Sequence, residues 1–184
     1  MGVKYSHGGG FMNKKLEKTV MTALFMALCC AGTLISVPSP ASQGYLNMGD
    51  CFVILSGWLL GPVYGFIAGG VGSGISDMIL GYAAYAPATF IIKGLMALTA
   101  YFILKLISVK HKKTTVIPEI ISAFIAEVIM VGGYYLYDSF LSGNFIAAIA
   151  AVAGNCVQGL FGLTASVVIF RILRKTKLNT KLPF

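Results

Sequence analysis

The sequence predicts an all-α membrane protein of six transmembrane helices with both termini on the cytoplasmic side. Three observations predict it. Of 184 residues, 57% are hydrophobic and only 11% charged, with a mean hydropathy of +0.83, too little charge to cover a soluble domain of this size. Long runs carry no charge at all, from Lys18 to Asp50, Asp50 to Asp77 and Asp138 to Arg171. Each can hold a helix of about 20 residues, the length that crosses roughly 30 Å of hydrocarbon. The basic residues gather in three clusters beside apolar segments: Lys14, Lys15 and Lys18; Lys110, Lys112 and Lys113; and Arg171, Arg174, Lys175, Lys177 and Lys181.

Those clusters decide what the charge balance means. Fourteen Lys and Arg against six Asp and Glu would suit a polyanion if they formed one patch. Their places match the excess of positive charge found at cytoplasmic ends of spans. No nucleic-acid partner is therefore expected, and the partner of the apolar surface is the lipid bilayer.

Residues 1–11, MGVKYSHGGGF, differ in character from the rest of the chain and read as an added leader or an upstream start; residues 12–184 then form a single six-helix membrane domain. The first span runs from about Leu16 to Val37 and stops at the PSP of Pro38–Pro40, ahead of the polar loop ASQGYLN. A short second span covers about Met48 to Leu60 and ends at Gly61-Pro62; the third runs from Val63 to Leu80 and the fourth from Ala88 to Val109. Pro118 suits the first turn of the fifth helix, which is expected to end near Tyr137, with DSFLSGN turning the chain into a sixth helix over Phe145–Leu173. Six crossings return the chain to its starting side, so all three basic clusters share the cytoplasmic face.

Two stripes of small residues stand out. Thr19, Ala23, Ala27 and Ala31 recur every four residues along the first helix; Gly57, Gly61, Gly65 and Gly69 do so across the second and third. Such stripes let helix backbones approach closely in lipid. The glycines read first as internal packing. For the alanines, internal packing and a docking face for another membrane protein both stand. GGVGSG resembles a phosphate cradle, but the chain holds no G-x-x-x-x-G-K-[ST].

Polar residues at bilayer depth cost a few kcal/mol each on insertion scales and need a reason. Lys93 falls about one turn into helix four, Glu127 near the middle of helix five, Asn155 and Gln158 one turn apart on helix six, and Tyr134 two turns outward of Glu127. Asp77, Tyr82, Tyr85 and Thr89 form a rim at the outer end. Together they suggest an outward-facing cavity for a small polar heterocycle with tyrosines to stack on it; pairing of Lys93 with Asp77 or Glu127 is the structural alternative. No catalytic residue is expected, since His7 and His111 lie outside the spans and Ser and Thr have no base partner. No metal site and no cofactor are expected either: Glu127 stands alone on its face, and the four cysteines lack ligand spacing.

The alanine stripe Ala23-x-x-x-Ala27-x-x-x-Ala31, together with NMGD, LLGPVYGFIAGGVGSGISD and GYAAYAPATFIIKG between Asn47 and Gly94, resembles the substrate-binding S components of energy-coupling factor (ECF) transporters. The likeness is to the riboflavin-type subgroup, which is similar to carriers of hydroxymethylpyrimidine and pyridoxine-like compounds. The resemblance implies a multi-pass protein of the bacterial cell membrane that is not an enzyme. It would bind one vitamin from outside between helices four to six and topple in the bilayer to deliver it inward, a rotation that the glycine-rich third helix would ease by giving the bundle a smooth surface. It would dock through Ala23, Ala27 and Ala31 onto a coupling membrane protein that bridges two cytoplasmic ATPase subunits. Carried onto this chain, Gly44 to Asn47 would form part of a lid, and Lys93, Glu127, Tyr134, Asn155 and Gln158 would line the site. A pocket with one cation and one acid suits a pyrimidine or pyridine alcohol, with riboflavin next. A proton-coupled secondary transporter using Glu127 or Asp77 is the competing function.

Overall fold

A computed structural model describes residues 14–38, 45–108 and 115–176. Six helices hold nearly all of them: α1 (Lys14–Leu34), α2 (Asp50–Leu60), α3 (Pro62–Ile79), α4 (Ala86–Ser108), α5 (Ile117–Ser142) and α6 (Phe145–Lys175). Between α1 and α2 lies a small antiparallel hairpin, β1 (Ser36–Pro38) and β2 (Tyr45–Asn47), pairing Ser36 with Asn47 and Pro38 with Tyr45. This corrects the first span, expected to run to Val37: α1 ends at Leu34, and Ser36 and Val37 belong to β1, while β2 falls in the expected polar loop, because three-residue strands carry no readable alternation. The leader 1–11, Gly44 of the expected lid and the Lys110–Lys113 cluster lie outside the described residues.

Four helices are long and apolar enough to cross a membrane: α1, α4, α5 and α6. α2, with 11 residues, spans only about 16 Å at 1.5 Å per residue. The outer surface carries Leu16, Val20, Leu24, Phe102, Phe124, Val128, Leu136 and Leu160, all at least half exposed, a distribution that suits hydrocarbon rather than water.

Local chemistry sets the helix ends. Gly61 takes φ +84° between α2 and α3, and Pro62, which needs no N–H partner, opens α3. Asn144 caps α6, its side-chain oxygen accepting from the N–H groups of Ile146 (2.9 Å) and Ala147 (3.2 Å). α5 runs five residues past the expected stop at Tyr137, since the chain turns only at Gly143, φ +62°; within the extra turn Ser139 and Ser142 return their hydroxyls to carbonyls four residues back.

α3 packs against α1, α2 and α4, while α5 bridges α4 and α6. Glycines are the reason α2 and α3 can sit so deep. A methyl group at Gly57 would lie 2.1 Å from the Ala97 carbonyl oxygen, one at Gly72 2.4 Å from that of Met26, and one at Gly70 2.6 Å from that of Phe90. This corrects the suggestion that the glycines smooth a lipid-facing surface: Gly57, Gly65 and Gly69 are buried helix contacts. The alanine stripe is the opposite case. Thr19, Ala23, Ala27 and Ala31 are all exposed, and none of the described helices covers them.

Candidate functional site

Where β2 meets the end of α3, the start of α4, the C-terminal half of α5 and the N-terminal half of α6, a polar hollow is enclosed. It is lined by Tyr45, Asn47, Asp77, Tyr85, Thr89, Tyr134, Asp138, Asn155 and Gln158. Seven of the nine binding residues expected from sequence thus share one cavity. Its volume is about 30 Å³, room for a water or two rather than for a vitamin.

Aromatic rings close the top. Tyr45 stacks at a tilt on Tyr82 with centroids 4.8 Å apart, Tyr82 meets Tyr85 edge-on, and Tyr85 meets Tyr137 at 5.3 Å. Two of these tyrosines are pinned by carboxylates. The Tyr45 hydroxyl donates to Asp77 Oδ1, and the Tyr85 hydroxyl donates to Asp138 Oδ1 at 2.7 Å. Burial first, then the adjacent carboxylate, pushes both phenols above their ordinary range, so both remain donors at any physiological pH. Below them Thr89 and Tyr134 share a hydrogen bond of 3.0 Å.

Two groups in the lining have capacity left over. Asp77 is 1% exposed, yet its second oxygen, Oδ2, meets no donor at ordinary hydrogen-bond geometry among the described residues, the nearby Thr89 hydroxyl being bonded with Tyr134. Asn155, 8% exposed, makes no side-chain hydrogen bond among them either. A buried polar atom without a partner costs free energy, as at Asp77 Oδ2, and both groups line the same cavity.

Lys93 and Glu127 are the two expected residues that the hollow does not contain. Lys93 is fully buried beneath it, forming an ion pair with Asp50 and sitting 5.3 Å from the centre of the Tyr134 ring. The expected partners Asp77 and Glu127 are thereby corrected to Asp50, the first residue of α2. Glu127, 5% exposed, lies against α6, where a methyl at Gly162 would come within 2.3 Å of its Oε1 and one at Gly159 within 3.2 Å of its Oε2. Neither of its carboxyl oxygens has a hydrogen-bond partner among the described residues.

Gln158 joins the two levels. Its Oε1 accepts from the Asn47 backbone N–H at 2.8 Å, and its Nε2 donates to Asp50 Oδ2 at 2.7 Å. One carboxamide therefore ties β2 to the buried ion pair. Sequence reasoning missed Asp50, and it reached Tyr45 only as part of the expected lid segment Gly44 to Asn47. Asp50 was legible in principle: a carboxylate that opens an otherwise uncharged apolar helix needs a buried cation, and Lys93 is the cation closest to mid-span. No rule of spacing links positions 43 residues apart.

At the opposite end of the bundle Glu119, 1% exposed, pairs with Arg171 at 2.9 Å and Arg174 at 2.8 Å. This cluster clamps the start of α5 to the end of α6, and no sequence pattern announces it.

Comparison with known proteins gives two findings. A family model described as "ECF-type riboflavin transporter, S component" matches residues 13–175. A Pyrococcus woesei protein, described as "Uncharacterized protein in gap 3'region", is 35% identical over 143 residues, 77% of this chain and 90% of the relative.

Proposed function

This chain belongs to the family of S components of ECF-type riboflavin transporters, a membrane transporter family rather than an enzyme family, and from that premise we propose that its polar hollow captures an aromatic vitamin from outside the cell. On this proposal the chain makes six crossings of a cell membrane, with both termini cytoplasmic. Inward delivery then needs a coupling membrane protein and two ATPase subunits, the first docking on Ala23, Ala27 and Ala31.

The observation that supports ligand capture is the unpartnered Asp77 Oδ2 in a cavity roofed by tyrosines. The lining also bears on ligand class. It holds two carboxylates, Asp77 and Asp138, and no cation, because Lys93 is committed to Asp50. Such a site complements N–H and O–H donors on a neutral or cationic ring and opposes an anion. Riboflavin meets that description, as do the smaller hydroxymethylpyrimidine and pyridoxine-like compounds; pantothenate, an anion, does not. Any of these needs more than the present volume, so binding requires β2, with Tyr45, to lift from Asp77. Of the two carboxyls that a proton-coupled carrier would use, Asp77 is in the lining and Glu127 is not.

Asn155 gives the clean test, since removing its amide breaks no hydrogen bond among the described residues. Asn155→Ala is expected to weaken riboflavin binding about fivefold, the worth of one neutral hydrogen bond, with an unaltered melting temperature. Fluorescence quenching of riboflavin by purified protein measures it, with hydroxymethylpyrimidine and pyridoxine as competitors. An unchanged affinity for whichever compound binds would contradict the assignment of Asn155 to the site.

A further inference from the structure

At the far end of the bundle from the hollow, the short α2 leaves a vacancy between longer neighbours. α1 and α4 have 21 and 23 residues, about 32 and 35 Å, whereas the α2–α3 turn at Gly61-Pro62 comes after only 11 residues of α2. The result is an open recess of about 510 Å³. Its wall combines Trp58, Val63 and Leu104 with two lysines, Lys18 near the start of α1 and Lys105 near the end of α4.

The lysines are held rather than neutralised. Lys18 Nζ sits 5.7 Å from the centre of the Tyr64 ring, and Lys105 Nζ 5.6 Å from that of Tyr101. No carboxylate lines the recess, and neither lysine has an ion-pair partner among the described residues. Beside them Val63 is 63%, Phe102 52% and Leu106 66% exposed, so the recess adjoins a surface suited to acyl chains. Two oriented cations at the end of a span, above an apolar wall, match a group that is anionic at one end and hydrocarbon at the other.

We propose that this recess is a binding site for an anionic phospholipid, its phosphate between Lys18 and Lys105 and an acyl chain along Val63 and Leu104. The proposal does not depend on the identity of the vitamin or on the hollow.

The test offers purified protein, in a neutral detergent, either dioleoylphosphatidylglycerol or dioleoylphosphatidylcholine and counts retained lipid by native mass spectrometry. Retention of the anionic lipid is expected to exceed that of the zwitterionic one roughly tenfold or more, given the attraction two lysines exert on an anionic headgroup. The preference is expected to fall to near parity in Lys18→Gln/Lys105→Gln and to a middle value in Lys105→Gln alone, whose exposed side chain is no part of the core. Lys175→Gln, an exposed lysine elsewhere, is expected to leave it unchanged. Equal retention of the two lipids by the unaltered protein would overturn the proposal, as would an equal loss of preference in Lys175→Gln. Displacement of the lipid by excess glycerol phosphate would show a free-phosphate site and overturn the lipid assignment.

Discussion

Lys93→Ala is expected to destabilise the protein by about 3–5 kcal/mol, the usual consequence of removing one partner of a buried ion pair. The sequence alone suggests a milder outcome, loss of ligand affinity in an intact fold. The geometry reverses that expectation. Lys93 is the largest fully buried side chain among the described residues, and its ammonium is the partner of Asp50, itself 1% exposed. Without it, Asp50 keeps the hydrogen bond from Gln158, and the neighbouring Glu127 adds a second carboxyl with no cation between them. For a chain of this length the loss corresponds to roughly 6–20 °C in melting temperature. Asp50→Asn/Lys93→Met removes both charges and is expected to melt closer to the unaltered protein than Lys93→Ala does. Thermal melts in one detergent check both variants. A Lys93→Ala protein that melts with the unaltered one would show that the pair contributes nothing.

Ala27→Trp is expected to abolish vitamin uptake in cells while leaving binding to the purified protein within about twofold of normal. Ala27 is exposed on α1 in a row with Thr19, Ala23 and Ala31, so an indole there has open space around it, and surface changes of this kind alter stability by about 0.5 kcal/mol or less. The same bulk would stand between two helix backbones brought together over a small-residue stripe. Leu136→Trp, on an exposed face of α5, serves as the control and is expected to transport normally. Uptake retained in Ala27→Trp would remove the docking role from the stripe; binding lost in the same variant would mean that α1 shapes the hollow.

Much of this architecture is legible in sequence because membrane chemistry writes it in composition. Charge-free runs mark the long helices, Pro62, Pro118, Gly143 and Asn144 mark ends, and the polar residues of α3 to α6 find one another because each helix can turn its polar side only inward. The limits are equally physical. The hairpin of Ser36–Pro38 and Tyr45–Asn47 is too short for a period. The Asp50–Lys93 pair joins helices by a contact that no local pattern encodes, so Lys93 reads as a ligand group until Asp50 is seen beside it. The glycines of α2 and α3 and the alanines of α1 share one spacing but have opposite fates, and only burial separates them.

Whether the hollow beneath Tyr45 and Tyr82 holds a donor-rich aromatic vitamin is decided by mass spectrometry of small molecules released on denaturing the purified protein. Expected is a neutral or cationic aromatic vitamin, riboflavin or a smaller pyrimidine or pyridine relative, in equimolar amount, and a smaller amount from Asn155→Ala, in line with its roughly fivefold weaker binding. An anionic or purely aliphatic ligand released from the unaltered protein, at a level that Asn155→Ala leaves unchanged, would mean that the hollow does something else.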